Sequence, residues 1–232
     1  MQATNPRLEK IVVDATDRGG SGIGLAIELH NYVRDQIKFG FTPYFDAASP
    51  DITLALGVGH CNPQAWLLVE LFRVAGFEAR FRPATIDNKI LKGVASTPPR
   101  LSHVFTEVKT QDTWLRIDSY IADSALRDAA VKKLQQTKMT CGYGCHKSAT
   151  GDWDGMHDAY SQIADPDMIL QLHEPVQHLK DFFQSDAYTH RIGPLSYNLA
   201  LVPSRLVAPL AMAVLNRGVN RLRRAGSERV CA

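Results

Sequence analysis

A chain of 232 residues, 45% hydrophobic and 22% charged, can bury a substantial core, and this make-up excludes a disordered or fibrous protein. The formal charge of +2 is too small to call for a polyanionic partner, but it is unevenly spread: from Leu201 onward there are six arginines and one acid, Glu228, so this tail carries +5 and the rest −3. No aromatic residue interleaves with those arginines, so a solvated face on a terminal helix is expected and a nucleic-acid partner is not.

The first seven residues lack the apolar stretch of a secretory signal, and four irregularly spaced cysteines (Cys61, Cys141, Cys145, Cys231) make no disulfide framework. Free thiols in a reducing cytoplasm are the expectation.

In chain order, residues 25–39 place Leu25, Ile27, Leu29, Tyr32, Val33 and Ile37 among charges at helical spacing, with Gly40 as the stop. A polar loop over 42–51 follows. A second helix is predicted from Cys61 to Gly76, with Pro63 in its first turn, where a missing N–H is harmless. Residues 77–82 alternate as a half-buried strand that Pro83 ends, and residues 104–108 and 114–117 read as two strands of an antiparallel hairpin. Beyond Asp123 the pattern predicts a helix over 125–134, a glycine-cysteine segment, loops, and an amphipathic helix pair over 195–222. Pro203, Arg205 and Pro209 interrupt that last stretch, so no membrane insertion is expected.

Cys61 at a helix start faces unpaired N–H groups and the positive end of the helix dipole, which favour a thiolate, the reactive form. His103 opens one predicted strand and Asp118 closes the next. If Lys109 pairs with Asp112 across a two-residue turn, His103 falls directly opposite Asp118, where a carboxylate can orient the imidazole for proton exchange with a thiol. A one-residue slip would separate the two groups onto opposite faces.

These residues resemble the transglutaminase-like superfamily of papain-related thiol enzymes over about residues 26–122. The resemblance rests on the helix Ala26-Ile27-Glu28-Leu29-His30-Asn31-Tyr32-Val33, on Gly59-His60-Cys61-Asn62-Pro63-Gln64-Ala65, and on Arg73, Gly76 and Arg80. It continues through Ser102-His103-Val104-Phe105 and Trp114-Leu115-Arg116-Ile117-Asp118, in the order Cys, His, Asp. Val104 stands where the family has an aromatic residue and Ser119 where it has proline. The resemblance implies an α+β fold, a papain/transglutaminase-like core with the nucleophile helix on an antiparallel sheet. Residues 1–130 would form that core and 131–232 a helical and loop extension packed on it. It further implies a cysteine-nucleophile hydrolase or acyltransferase of protease or amidase type, in which Cys61 attacks an amide, ester or thioester carbonyl, His103 moves protons and Asp118 positions it. By similarity the Cys61 N–H would help hold the oxyanion. The substrate would be an acyl-bearing peptide, carrier-bound intermediate or small molecule, with hydrolysis the expected outcome and transamidation open. A catalytically inactive binding or scaffold protein of the same fold is the alternative.

Two other patterns compete. Gly20-Ser21-Gly22-Ile23-Gly24 after Ile11-Val12-Val13, with Tyr143 and Lys147, suggests an NAD(P)-dependent short-chain-type oxidoreductase, but Arg18 occupies a position where close approach to a pyrophosphate needs glycine. The glycines are then expected to form a mobile loop. Cys141, Cys145 and His146, with His157, look like part of a metal site, yet the spacing fits no zinc pattern. No metal or other cofactor is therefore expected, and the segment is either a surface loop or a glycine-aromatic loop beside the cleft. Phe39, Phe41, Tyr44 and Phe45 can shape a substrate pocket or pack in the core.

Overall fold

The computed structural model describes residues 5–192, 195–196 and 208–227. Asn5 caps helix α1 (Pro6–Gly19) through its side chain, and Leu8, Ile11 and Ala15 form its buried stripe, so the Ile11-Val12-Val13 run is helical. Helix α2 (Ile23–Gln36) packs back on α1. Gly20 and Gly22 take φ of 73° and 60° in the turn between them, and a Cβ on Gly24 would sit 2.2 Å from the Gly19 carbonyl oxygen. The glycine cluster thus lets two helices meet backbone to backbone. It joins helix to helix, not strand to helix, and the context a dinucleotide loop needs is absent.

α2 ends at Gln36, earlier than periodicity suggests, because the chain turns extended at Ile37 and strand β1 (Lys38–Phe39) pairs in parallel with β2 (Val58–Gly59). Between them the expected loop over 42–51 runs into helix α3 (Pro50–Leu56), which was not expected and is capped by the Ser49 hydroxyl. Helix α4 (Cys61–Val74) follows β2 directly. Leu67, Leu68, Val69, Leu71 and Phe72 are buried over more than half of its circumference, with Trp66, Glu70 and Arg73 on a half-buried stripe, as befits a helix packed against α1, α2, α3 and the sheet.

The main sheet begins with β3 (Ala79–Asp87), β4 (Arg100–Thr110) and β5 (Thr113–Ile117). β3 runs straight through Pro83, because that residue accepts from the His173 N–H on one side and loses its own missing donor only where the neighbouring strand has ended. After β5 come α5 (Ser124–Thr137), capped by Asp123, and a hairpin of β6 (Cys141–Gly142) and β7 (Cys145–His146). Strand β8 (Ile169–Leu172) then completes an all-antiparallel sheet of order β5-β4-β3-β8. The fold is α+β, with α4 lying on an antiparallel sheet, and a segment beyond residue 130 supplies one of the strands.

Helix α6 (Leu179–Gln184), a short antiparallel pair of β9 (Arg191–Ile192) and β10 (Leu195–Ser196), and helix α7 (Ala208–Ser227) close the described chain. The second of the two expected C-terminal helices is α7; the first, over 197–207, lies outside the described residues. α7 packs on α5. Arg217, Arg221 and Arg224 are exposed on it, while Arg223 turns inward to Asp123; Arg205 and Arg229 lie outside the described residues. No helix among the described residues is long and apolar enough to cross a membrane.

Candidate active site

Cys61 is the first residue of α4, delivered there by the β1–β2 pairing, which fixes Gly59 beside Phe39 and leaves His60 extended as the cap residue. The first bond within this turn is Gln64 N–H to His60 C=O, and Pro63 removes one donor that would have had no partner. The sulfur lies 3.4 Å from Asn62 Oδ1, to which the thiol donates. The helix start was expected to favour thiolate. Burial instead pushes the thiol up, and the Asp46 charge adds to that; backbone N–H groups of Val104 and Asn62 act in the opposite sense without overcoming it. In this arrangement Cys61 rests as a thiol.

His103 and Asp118 are brought together, though not as direct opposites. The turn between β4 and β5 is Gln111-Asp112, both with positive φ (47° and 66°), so Thr110 pairs with Thr113 and Lys109 with Trp114. This register differs by two from one in which Lys109 meets Asp112. Continued one step past Ile117, it sets Asp118 opposite Phe105. Because a shift of two preserves the face, His103 and Asp118 become diagonal neighbours on one side of the sheet. His103 Nε2 lies 3.5 Å from Asp118 Oδ2. That approach lacks hydrogen-bond geometry, and neither ring nitrogen of His103 has a partner among the described residues although the side chain is buried. The Asp118 carboxylate is held by the loop after α5: Ser161 N–H (2.6 Å) and Gln162 N–H (3.1 Å) donate to Oδ1, and Ile163 N–H (3.0 Å) donates to Oδ2.

Cys61 and His103 line one cavity of roughly 200 Å³, together with Phe39, Phe41, Phe45 and Leu101. Three of the four aromatics that precede Cys61 thus form its wall, while Tyr44 is 52% exposed and points elsewhere.

A second buried carboxylate, Asp46, stands behind this wall. Its Oδ1 accepts from His60 Nε2 (2.6 Å) and Asn62 Nδ2 (2.7 Å), and its Oδ2 from His190 Nδ1 (2.7 Å) and the Tyr188 hydroxyl. His190 Nε2 in turn accepts the Ser102 N–H, one residue from His103. Burial alone would raise the Asp46 carboxyl, but the charge that His190 carries when protonated and its hydrogen bond, with those of His60, outweigh it and hold the group well below the usual carboxylate range. Nothing in the sequence pattern marked Asp46 or His190. They lie 144 positions apart in segments without periodicity, and only the fold brings them together.

Ser119, standing in place of proline, donates through its hydroxyl to Nε2 of the buried His30 on α2, whose Nδ1–H is taken by Asn31. The departure therefore anchors the chain just after β5 to the helix pair. The segment 141–146 is the β6–β7 hairpin. There Cys141 donates to the Met168 sulfur, and His146 Nδ1 accepts the Ser148 N–H. Tyr143 and Gly144 donate their backbone N–H groups to the carbonyls of Lys92 and Ile90. The hairpin braces, from behind, the stretch that carries Ile90 and Leu91 into the cavity wall. Cys61, Cys141 and Cys145 are all free thiols.

A family model described as the transglutaminase-like superfamily matches residues 9–119. Over that segment, a little under half of its length, the chain is similar to this superfamily. Among solved structures it is similar to a candidate cysteine protease from Cytophaga hutchinsonii at 16% identity, with a TM-score of 0.37 over 47% of this chain and 36% of that one. The overlap is thus about a third of that protein. No curated protein matches the chain.

Proposed function

We propose that this protein carries out thiol-dependent acyl transfer through Cys61, His103 and Asp118, with water as the usual acceptor. The observation that supports this best is the shared cavity: a buried histidine with neither nitrogen hydrogen-bonded among the described residues opens into the same space as a cysteine at a helix start. An unpaired buried imidazole is costly, and substrate and thiol are the partners it lacks. Since Cys61 rests as a thiol, His103 takes its proton as the S–C bond forms, and the carbonyl electron pair moves to oxygen, towards the Cys61 N–H at the start of α4. Collapse of that intermediate expels the amine, alcohol or thiol, which leaves with the proton from His103. Water then attacks the acyl-enzyme, His103 accepts its proton and returns it to sulfur, and the acid departs. Asp118, fixed by three backbone donors, positions the imidazole and supports its positive charge.

Turnover of activated thioesters by the purified chain tests this reading. Cys61→Ala and His103→Ala are expected to abolish it, and Cys141→Ala to leave it intact; full turnover in Cys61→Ala would contradict the mechanism. The raised Cys61 thiol is the one feature favouring a non-catalytic binding protein, and failure of the wild-type chain to react with any acyl donor would select that reading.

A further inference from the structure

We infer that the cavity at Cys61 is an acyl-binding subsite for an uncharged, apolar acyl group of about the size of a phenyl ring or a short alkyl chain, and that the C-terminal helix α7 builds one of its walls. This rests on the thiol mechanism proposed above. Ile86, Ile90, Leu91 and Leu101 join the three phenylalanines in the lining, and Leu215 reaches it from α7. No Lys, Arg, Asp or Glu is among the described lining residues. A carboxylate or ammonium group entering would lose its water, and the imidazoles of His60 and His190 in the lining are already turned to Asp46. The nearby carboxylates are already occupied, Asp46 by four donors and Asp118 by three. An apolar cavity of about 150 Å³ is known to stay dry and accept benzene, so one of roughly 200 Å³ suits a slightly larger group.

The walls are set before any ligand arrives. Asn216 of α7 clamps the main chain of Phe41, accepting its N–H (2.8 Å) and donating to its carbonyl (2.8 Å). Arg223, one helical stretch further on, donates to the Phe39 carbonyl (2.9 Å) and to Asp123 Oδ2 (2.6 Å), which itself accepts the Phe39 N–H. His60 packs against both the Phe41 and Phe45 rings, with centroids 5.1 and 4.9 Å away. Two phenylalanines of the wall are therefore fixed through their backbones by the helix that also contributes Leu215, and a fixed wall selects by shape.

The test uses the full chain with a series of small-thiol thioesters: acetyl, butanoyl, hexanoyl, phenylacetyl and succinyl. Filling an apolar pocket is worth about tenfold or more per methylene, so kcat/KM should rise at least tenfold from acetyl to hexanoyl or phenylacetyl, and succinyl should fall below butanoyl. Leu215→Trp should invert the phenylacetyl-to-acetyl ratio. A flat series, or one led by succinyl, with turnover still dependent on Cys61, overturns the subsite while leaving the triad standing. If no donor turns over, the triad reading fails, and alkylation of Cys61 by benzyl-substituted against carboxylate-bearing haloacetamides still reads the cavity. Preference for the benzyl reagent, relative to a free thiol, retains the apolar subsite; no preference overturns it.

Discussion

Two buried carboxylates flank the cavity, and they are treated in opposite ways. Asp46 is met by four side-chain donors from two parts of the chain, and each of its oxygens is shared between two of them. Asp118 is met only by backbone N–H groups, and the histidine beside it stands 3.5 Å away with neither nitrogen hydrogen-bonded among the described residues. Satisfied polar networks fix a structure, whereas a buried imidazole left without partners is a cost that stability alone does not explain. On the proposed mechanism the first site is architecture and the second is chemistry, although both contain an Asp and a His.

That contrast is breakable. The largest effect belongs to His103: His103→Ala should lower kcat by about 10⁴-fold or more, while the unfolding free energy from urea titration changes little beyond the packing lost, because no hydrogen bond is removed. Asp46→Ala should do the reverse, costing about 3–5 kcal/mol of stability by leaving buried donors without an acceptor. A circular-dichroism urea midpoint reads it. Because the Asp46 charge helps raise the Cys61 thiol, alkylation of whatever Asp46→Ala protein stays folded should titrate at a lower pH than in the wild type.

The third expected effect concerns His30, on the Asp118 side of the core. Burial lowers its pKa to about 4 from an ordinary 6.5, so the unfolded chain binds a proton that the folded chain refuses. Its contribution to stability is present above pH 6.5 and is lost as pH falls towards 4. By linkage the loss is on the order of 3 kcal/mol. His30→Gln should flatten that part of the stability–pH curve; an unchanged slope would show that His30 does not carry it.

Much of the site was legible in the chain. The position of Cys61 followed from apolar spacing after Pro63, and the strands bearing His103 and Asp118 from alternation around a polar turn. What the turn concealed was its own type: two residues at positive φ move the register by two, and the pair survived because the side-chain period of a strand is also two. Burial was less legible. A helix start alone argues for thiolate, but the depth of Cys61 and the presence of Asp46 depend on contacts that no local pattern encodes. Pro83 taught the same lesson in the sheet, since a missing N–H ends a strand only where a neighbour needs it. The glycine cluster at 20–24 was read as a loop because close helix contact and chain mobility leave the same signature in sequence.

The central claim is that Cys61 forms the covalent intermediate with help from His103. Intact-protein mass spectrometry after brief exposure to a phenylacetyl or hexanoyl thioester tests it most directly. An adduct of one acyl mass on Cys61 of the wild-type chain, retained in Cys141→Ala and lost in Cys61→Ala and His103→Ala, is the predicted result. An adduct that persists undiminished in Cys61→Ala, or forms equally fast in His103→Ala, would contradict the account.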